Sequence, residues 1–146
     1  MRARRSRLPP TGVAAARSVV KRGFGRALGV AITSLTKRRV RATLRVKRGH
    51  INRNGRVNGG VLMAFADVLG ATGTVANLPA GHRTTTLESK TNFFAAAAGP
   101  VLEAETIPLH IGRTTMVWQT TIRNPDGRKV ALVTQTQIVI PARGEE

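Results

Sequence analysis

The chain has 146 residues, the size of one ordinary domain, and its 41% hydrophobic content excludes wholesale disorder. It contains no cysteine, which excludes disulfides, thiolate nucleophiles and cysteine-held metals. The net charge is +17, and 17 of the 24 Lys and Arg residues precede the first acidic residue, Asp67; such a field attracts polyanions without choosing among them.

Residues 1–12 hold four Arg and two Pro and read as a disordered basic arm, leaving residues 13–146 as a single domain. The Arg-rich start is also like an organelle transit peptide. It is not followed by the uninterrupted apolar run of a secretory signal, and the expected location is cytoplasmic. Residues 13–28 place Val13, Ala16, Val19, Val20, Phe24 and Leu28 at three- and four-residue spacings, which predicts a modest amphipathic helix weakened by Gly23 and Gly25. Residues 30–35 suit either a helix end or a strand. From Val40 to Lys47, apolar Val40, Ala42, Leu44 and Val46 alternate with basic or polar residues, the pattern of a half-buried strand.

Residues 49–60 are rich in Gly and Asn and predict a loop. Residues 61–78 are apolar on nearly every side and carry one charge, Asp67; a helix here is buried all round and stops before Pro79. The run is about long enough to span a membrane, but Asp67, Gly70, Thr72, Gly73, Thr74 and Asn77 argue against a span. Residues 84–94, 101–111, 113–123 and 128–140 read as strands. Asn124-Pro125-Asp126-Gly127 makes a type I turn with a bulge between the last two. One long helix against an antiparallel sheet is an α+β layer architecture.

The chemistry points to the helix. A carboxylate in an apolar helix is costly to bury, and desolvation makes it a stronger base than one at the surface. A structural reading, with Asp67 bonded to neighbouring backbone or pointing into a wet dimer seam, is equally open from the helix alone. Gly59 and Gly60 stand where the helix begins, where free N–H groups and the positive dipole end can stabilise an oxyanion. Asp67 follows Gly59 by eight residues, about 12 Å of helical rise. One chain cannot bring both to a single carbonyl, so the spacing hints at a dimeric site.

The ordered set His50, Asn52, Gly55, Gly59, Gly60 and Asp67 resembles the signature of hot-dog-fold acyl-CoA thioesterases of the phenylacetate-pathway type. The resemblance extends through Thr86–Phe94 and His110–Arg113 and covers about residues 28–140. It implies a hot-dog fold, a long central helix wrapped by an antiparallel sheet, with the basic arm and short helix in front. It implies a homodimer, or a dimer of dimers, hydrolysing acyl-CoA at the subunit interface. The Gly59 N–H then polarises the thioester carbonyl, and Asn52 places thioester or water. Asp67 from the partner activates water or attacks directly, and Thr86 holds the water, with Thr85 the alternative if the register slips. Asn58, Gly60 and Arg113 are the expected substrate-binding residues. The family's His before Gly-Gly is Asn58 here, which bonds but carries no proton.

No cofactor is expected, and His50, His82 and His110 lack metal-ligand spacing. Two other functions fit parts of the sequence. One is an acyl-CoA-binding hot-dog protein without hydrolysis; the other is a nucleic-acid-binding protein using the basic half. Aromatic residues at 3% argue against the second, because stacking platforms are scarce. Leu62, Phe65, Phe93, Phe94 and Trp118 suit either an acyl pocket or the core, with core packing the default.

Overall fold

The computed structural model describes residues 8–142. Most of the basic arm, residues 1–7, lies outside the described residues. Its last residue, Gly12, donates its N–H to the Val75 carbonyl at 3.0 Å. The helix expected over 13–28 is two short ones, α1 (Val13–Ser18) and α2 (Gly23–Leu28). The break has a backbone cause: Gly23 sits at φ +60°, a left-handed setting that interrupts a right-handed helix.

Two strands follow, β1 (Val30–Thr36) and β2 (Arg39–Arg45), so the ambiguous segment before residue 36 is a strand. In β2 the alternation acts as expected: Val40, Ala42 and Leu44 are buried while Arg39, Arg41 and Arg45 are exposed. The loop then delivers α3 (Gly59–Asn77), capped by Asn58, whose side-chain oxygen accepts the Gly60 N–H at 2.8 Å. The expected burial of α3 on every side needs correcting. Gly60 and Met63 are exposed, and Ala64, Asp67 and Ala71 are half-buried. These residues recur every three or four positions, so they form one open stripe along the helix.

The chain closes with β3 (His82–Phe93), β4 (Val101–Ile111), β5 (Thr115–Arg123) and β6 (Lys129–Pro141). The six strands form one antiparallel sheet in the order β1-β2-β4-β5-β6-β3. β3 therefore pairs with β6 and leaves its other edge open. The β5–β6 hairpin turns as expected, with Gly127 at φ +85° and its N–H on the Asn124 carbonyl at 2.9 Å. The sheet curls round α3, the hot-dog arrangement.

Inward-facing Val40, Leu44, Leu102, Ile122, Val130 and Val133 pack with Leu62, Phe65 and Leu69 of α3 to make the main core. A smaller cluster of Leu78, Met116, Trp118 and Val139 closes the far end of the helix. Two helix-interior glycines explain how the sheet comes so close. A Cβ on Gly73 would lie 2.8 Å from the Trp118 ring, and one on Gly70 would lie 1.9 Å from Gln135 Nε2. Both glycines lower helix propensity; each is the space another side chain fills. By length and composition α3 could cross a membrane, but the enclosing sheet accounts for its apolar character.

Candidate active site

Asp67 lies on the open stripe of α3, facing the edge strand β3. Its Oδ1 accepts a hydrogen bond from the Thr86 hydroxyl at 2.7 Å. Thr86 faces α3 because it pairs with inward-facing Gln137, whereas Thr85 is exposed beside Ile138; the register thus selects Thr86. A bulge between Thr86 and Glu88 follows at once. It shifts the strand's phase so that Ser89, Thr91 and Phe93 share the inner face with Thr86. Thr91 Oγ1 on that face is a buried side-chain oxygen with no partner among the described residues.

Behind Thr86 runs a polar chain that the sequence reading missed. Gln135 and Gln137 are both fully buried. Gln135 Nε2 donates to the Ala66 carbonyl at 2.7 Å, Gln137 Nε2 donates to Gln135 Oε1 at 3.1 Å, and Gln137 Nε2 also donates to Thr86 Oγ1 at 2.8 Å. The direction of every bond follows from one end. A carbonyl can only accept, so Gln135 presents its amide nitrogen to Ala66 and its oxygen to Gln137. Gln137 must then turn its nitrogen toward both Gln135 and Thr86. Thr86 accepts from that nitrogen and is left to donate, and it donates to Asp67. A sequence signal existed: in β6, Gln135 and Gln137 are in phase with core-facing Val133 and Val139.

Seven residues along β3 from Thr86, the Phe93 ring abuts the N-terminus of α3, and a Cβ on Gly59 would lie 3.1 Å from Phe93 Cζ. Asn58 takes the Gly60 N–H, while the Gly59 N–H has no acceptor among the described residues. Gly59 is thus the free donor at the positive end of the helix. Asn52 organises its own loop: its Oδ1 accepts the N–H groups of Asn54 at 2.9 Å and Arg56 at 3.1 Å. Its amide nitrogen makes no bond among the described residues. Arg113 is exposed in the β4–β5 turn, next to Thr114, whose carbonyl takes the Val139 N–H. That turn lies at the opposite end of the sheet from Gly59. Within one chain, then, Asp67 and Thr86 meet, Gly59, Gly60 and Asn58 meet, and the two groups stand apart.

Trp118, Leu62 and Phe65 are core residues. Trp118 is fully buried and donates its ring N–H to Thr74 Oγ1 at 2.8 Å. Phe93 and Phe94 are exposed, and the Phe93 ring lies against Gly59 at the start of α3. Among the described residues no group of three or more His, Asp or Glu side chains is placed to hold a metal.

His50 anchors the loop that carries Asn52 and Asn58. It is buried, its Nδ1 accepts the Lys47 N–H at 3.1 Å, and its carbonyl accepts the Asn58 N–H at 2.8 Å. Desolvation, with a further contribution from the Lys47 charge, lowers its pKa below the ordinary 6.5. The unfolded chain therefore binds this proton more readily than the folded one. Stability from this group is complete above pH 6.5 and is lost as pH falls through the lower folded value. We expect thermal stability to decline on that acid side, and expect His50→Gln to flatten this part of the pH profile. An unchanged slope in the variant would show that His50 is not the group responsible.

A single helix wrapped by a six-stranded antiparallel sheet, with a carboxylate–hydroxyl pair on the open stripe, defines a hot-dog domain with the makings of a hydrolytic site. Residues 54–131 match the family model of the thioesterase superfamily, and the chain belongs to that superfamily. A Vibrio cholerae protein that carries an esterase name is 29% identical over 80% of this chain and 77% of its own length. Among solved structures, a Haemophilus influenzae thioesterase has a TM-score of 0.80 at 22% identity, covering 92% of this chain and 94% of its own. A thioesterase family protein of Silicibacter pomeroyi has a TM-score of 0.82 at 23% identity, covering 89% and 99%. A Streptococcus pneumoniae protein described as a hypothetical thioesterase and solved with coenzyme A has a TM-score of 0.70 at 29% identity, covering 78% and 88%.

Proposed function

We propose that this chain hydrolyses acyl-CoA or aryl-CoA thioesters to free acid and coenzyme A, at a site built by two copies of the chain. The observation that carries the reading is the Thr86–Asp67 bond on the otherwise apolar helix. Membership of the thioesterase superfamily supports hydrolysis, and the coenzyme A bound to the Streptococcus pneumoniae protein supports the thioester carrier.

The division of labour follows from the spacing. Asp67 Oδ1 is held by Thr86, which leaves Oδ2 to take a proton from water or to attack the thioester carbon. The Gly59 N–H is the donor for the developing oxyanion, and the positive end of α3 favours the charge that forms there. Asn52, with its amide nitrogen free, places the thioester or the water; Asn58 and Gly60 shape the helix entrance. Arg113 is the candidate partner for a coenzyme A phosphate.

About 12 Å of helix separates Gly59 from Asp67, so each site takes Asp67 from one chain and Gly59 from the other. The open edge of β3 supports such pairing. It leaves unpaired backbone groups along the strand and exposes Leu87, Phe93 and Phe94 nearby. Two β3 edges joined about a two-fold axis run their helices antiparallel, turning Gly59 of one toward Asp67 of the other.

Subunit mixing tests the arrangement. Asp67→Asn chains and chains disabled by Asn52→Ala are each expected to be inactive. After exchange, mixed dimers contain one site with both residues intact, and thioester hydrolysis should return to roughly a quarter of the parent rate, by statistics of pairing under closed symmetry. Exchange demonstrated by labelled subunits with no return of activity would exclude a shared site.

A further inference from the structure

Resting on the reading of Asp67 as the reacting carboxylate, we infer that Gln137, backed by Gln135, is a positioning residue: it aims the Thr86 hydroxyl at Asp67. A free threonine hydroxyl rotates, and it can point its proton at any acceptor within reach. Here the only freedom left to it is removed from behind. Ala66 is adjacent to Asp67 on α3, and its carbonyl fixes Gln135; Gln135 fixes Gln137; Gln137 donates to the Thr86 oxygen, which leaves the Thr86 proton for Asp67. The chain leaves α3 at Ala66 and returns to it at Asp67, closing a loop of four hydrogen bonds across β6 and β3.

The helix is built to admit this loop. Gly70 leaves the space that Gln135 occupies, and a Cβ there would overlap its amide group. Two fully buried glutamines in one strand are a large desolvation burden unless every group is bonded. Both amides are engaged at each end: Gln137 Oε1 lies 3.1 Å from the Thr84 hydroxyl, which shares its one proton with the Ile138 carbonyl at 2.8 Å, and both Nε2 groups donate. A carboxylate that accepts a hydroxyl from a fixed direction keeps its second oxygen in a fixed direction too. That oxygen is the one left for water or thioester, so the loop sets the line of attack.

The test is a double-mutant cycle on whichever thioester the parent hydrolyses. Gln137→Met keeps length and removes both donors. We expect kcat to fall about tenfold, the worth of one hydrogen bond, with KM within twofold. Thr86→Val should fall at least as far, and Thr86→Ser should restore most of the rate. In the Thr86→Val background, Gln137→Met should change kcat by less than twofold, because the group it acts through is gone. Equal losses in both backgrounds, or a loss explained by the unfolded fraction alone, overturn the proposal.

A second measurement needs no substrate and no Gln137 variant. In the folded Asp67→Asn protein, the Gln137 side-chain amide protons should move upfield by NMR, because a neutral acceptor polarises Thr86 less. The Gln119 amide, on β5 outside the loop, is the control. Unmoved Gln137 resonances overturn the proposal even if no thioester is hydrolysed. Movement without any thioesterase activity would instead discard the functional reading and leave the hydrogen-bonded loop standing.

Discussion

Replacing Asp67 with Asn should leave a folded protein that still binds acyl-CoA and hydrolyses it at least about a hundredfold more slowly. The substitution is close to isosteric, and the Asn oxygen can accept the Thr86 hydroxyl just as the carboxylate does. What disappears is the charge. Neither proton abstraction nor attack on a thioester carbon is within the reach of an amide. An Asp whose role is structural behaves differently: its loss lowers the melting temperature, and activity falls only with the folded fraction. Melting temperature, binding of a non-hydrolysable thioether analogue and turnover, measured on one preparation, separate the two. Turnover within a few-fold of the parent in a well-folded variant excludes the carboxylate mechanism.

The largest stability effect is expected at Trp118. Its side chain is fully buried against Gly73 and bonded to Thr74. Trp118→Ala should cost about 3–5 kcal/mol from lost contacts and the cavity left behind. For a domain of this size that is a fall in melting temperature of roughly 10–20 °C. Gly73, which faces the ring, has no side chain to move into the cavity. An acyl-pocket residue would show another pattern, a changed preference for acyl chain length with the melting point nearly unmoved.

These two residues also show where the sequence was legible. Asp67 stands out because it is the sole charge between Arg56 and Arg83, and the strand facing it supplies its partner, the Thr86 hydroxyl. For Trp118 core packing is the default, and its full burial agrees; the element it packs against lies across the fold and is not legible locally. The alternation in β2 and β6 and the turn at residues 124–127 are local signals, and the structure agrees with them. The split between α1 and α2 turned on the sign of one backbone angle at Gly23, which composition only weakens and does not decide.

Long-range pairing is where the local reading ran out. Nothing within residues 82–93 says that this strand joins β6 rather than β4, and the bulge after Thr86 is set by that pairing. The register in turn decides that Thr86, and not Thr85, meets Asp67. Gln135 and Gln137 were visible as polar residues at core-phase positions of a strand, yet their meaning required the helix opposite. In sequence, Gly70 and Gly73 read only as residues awkward in a membrane span; against the sheet they are clearances for Gln135 and Trp118.

The most direct measurement is release of free thiol from short, medium, long and aryl acyl-CoA thioesters by the parent protein, with Asp67→Asn assayed beside it. The parent should turn over at least one of these classes, and the variant should do so at least about a hundredfold more slowly. No thiol release above the buffer rate from any class, by a protein that binds the thioether analogue, would contradict a hydrolytic role and mark the chain as one that holds acyl-CoA without cleaving it.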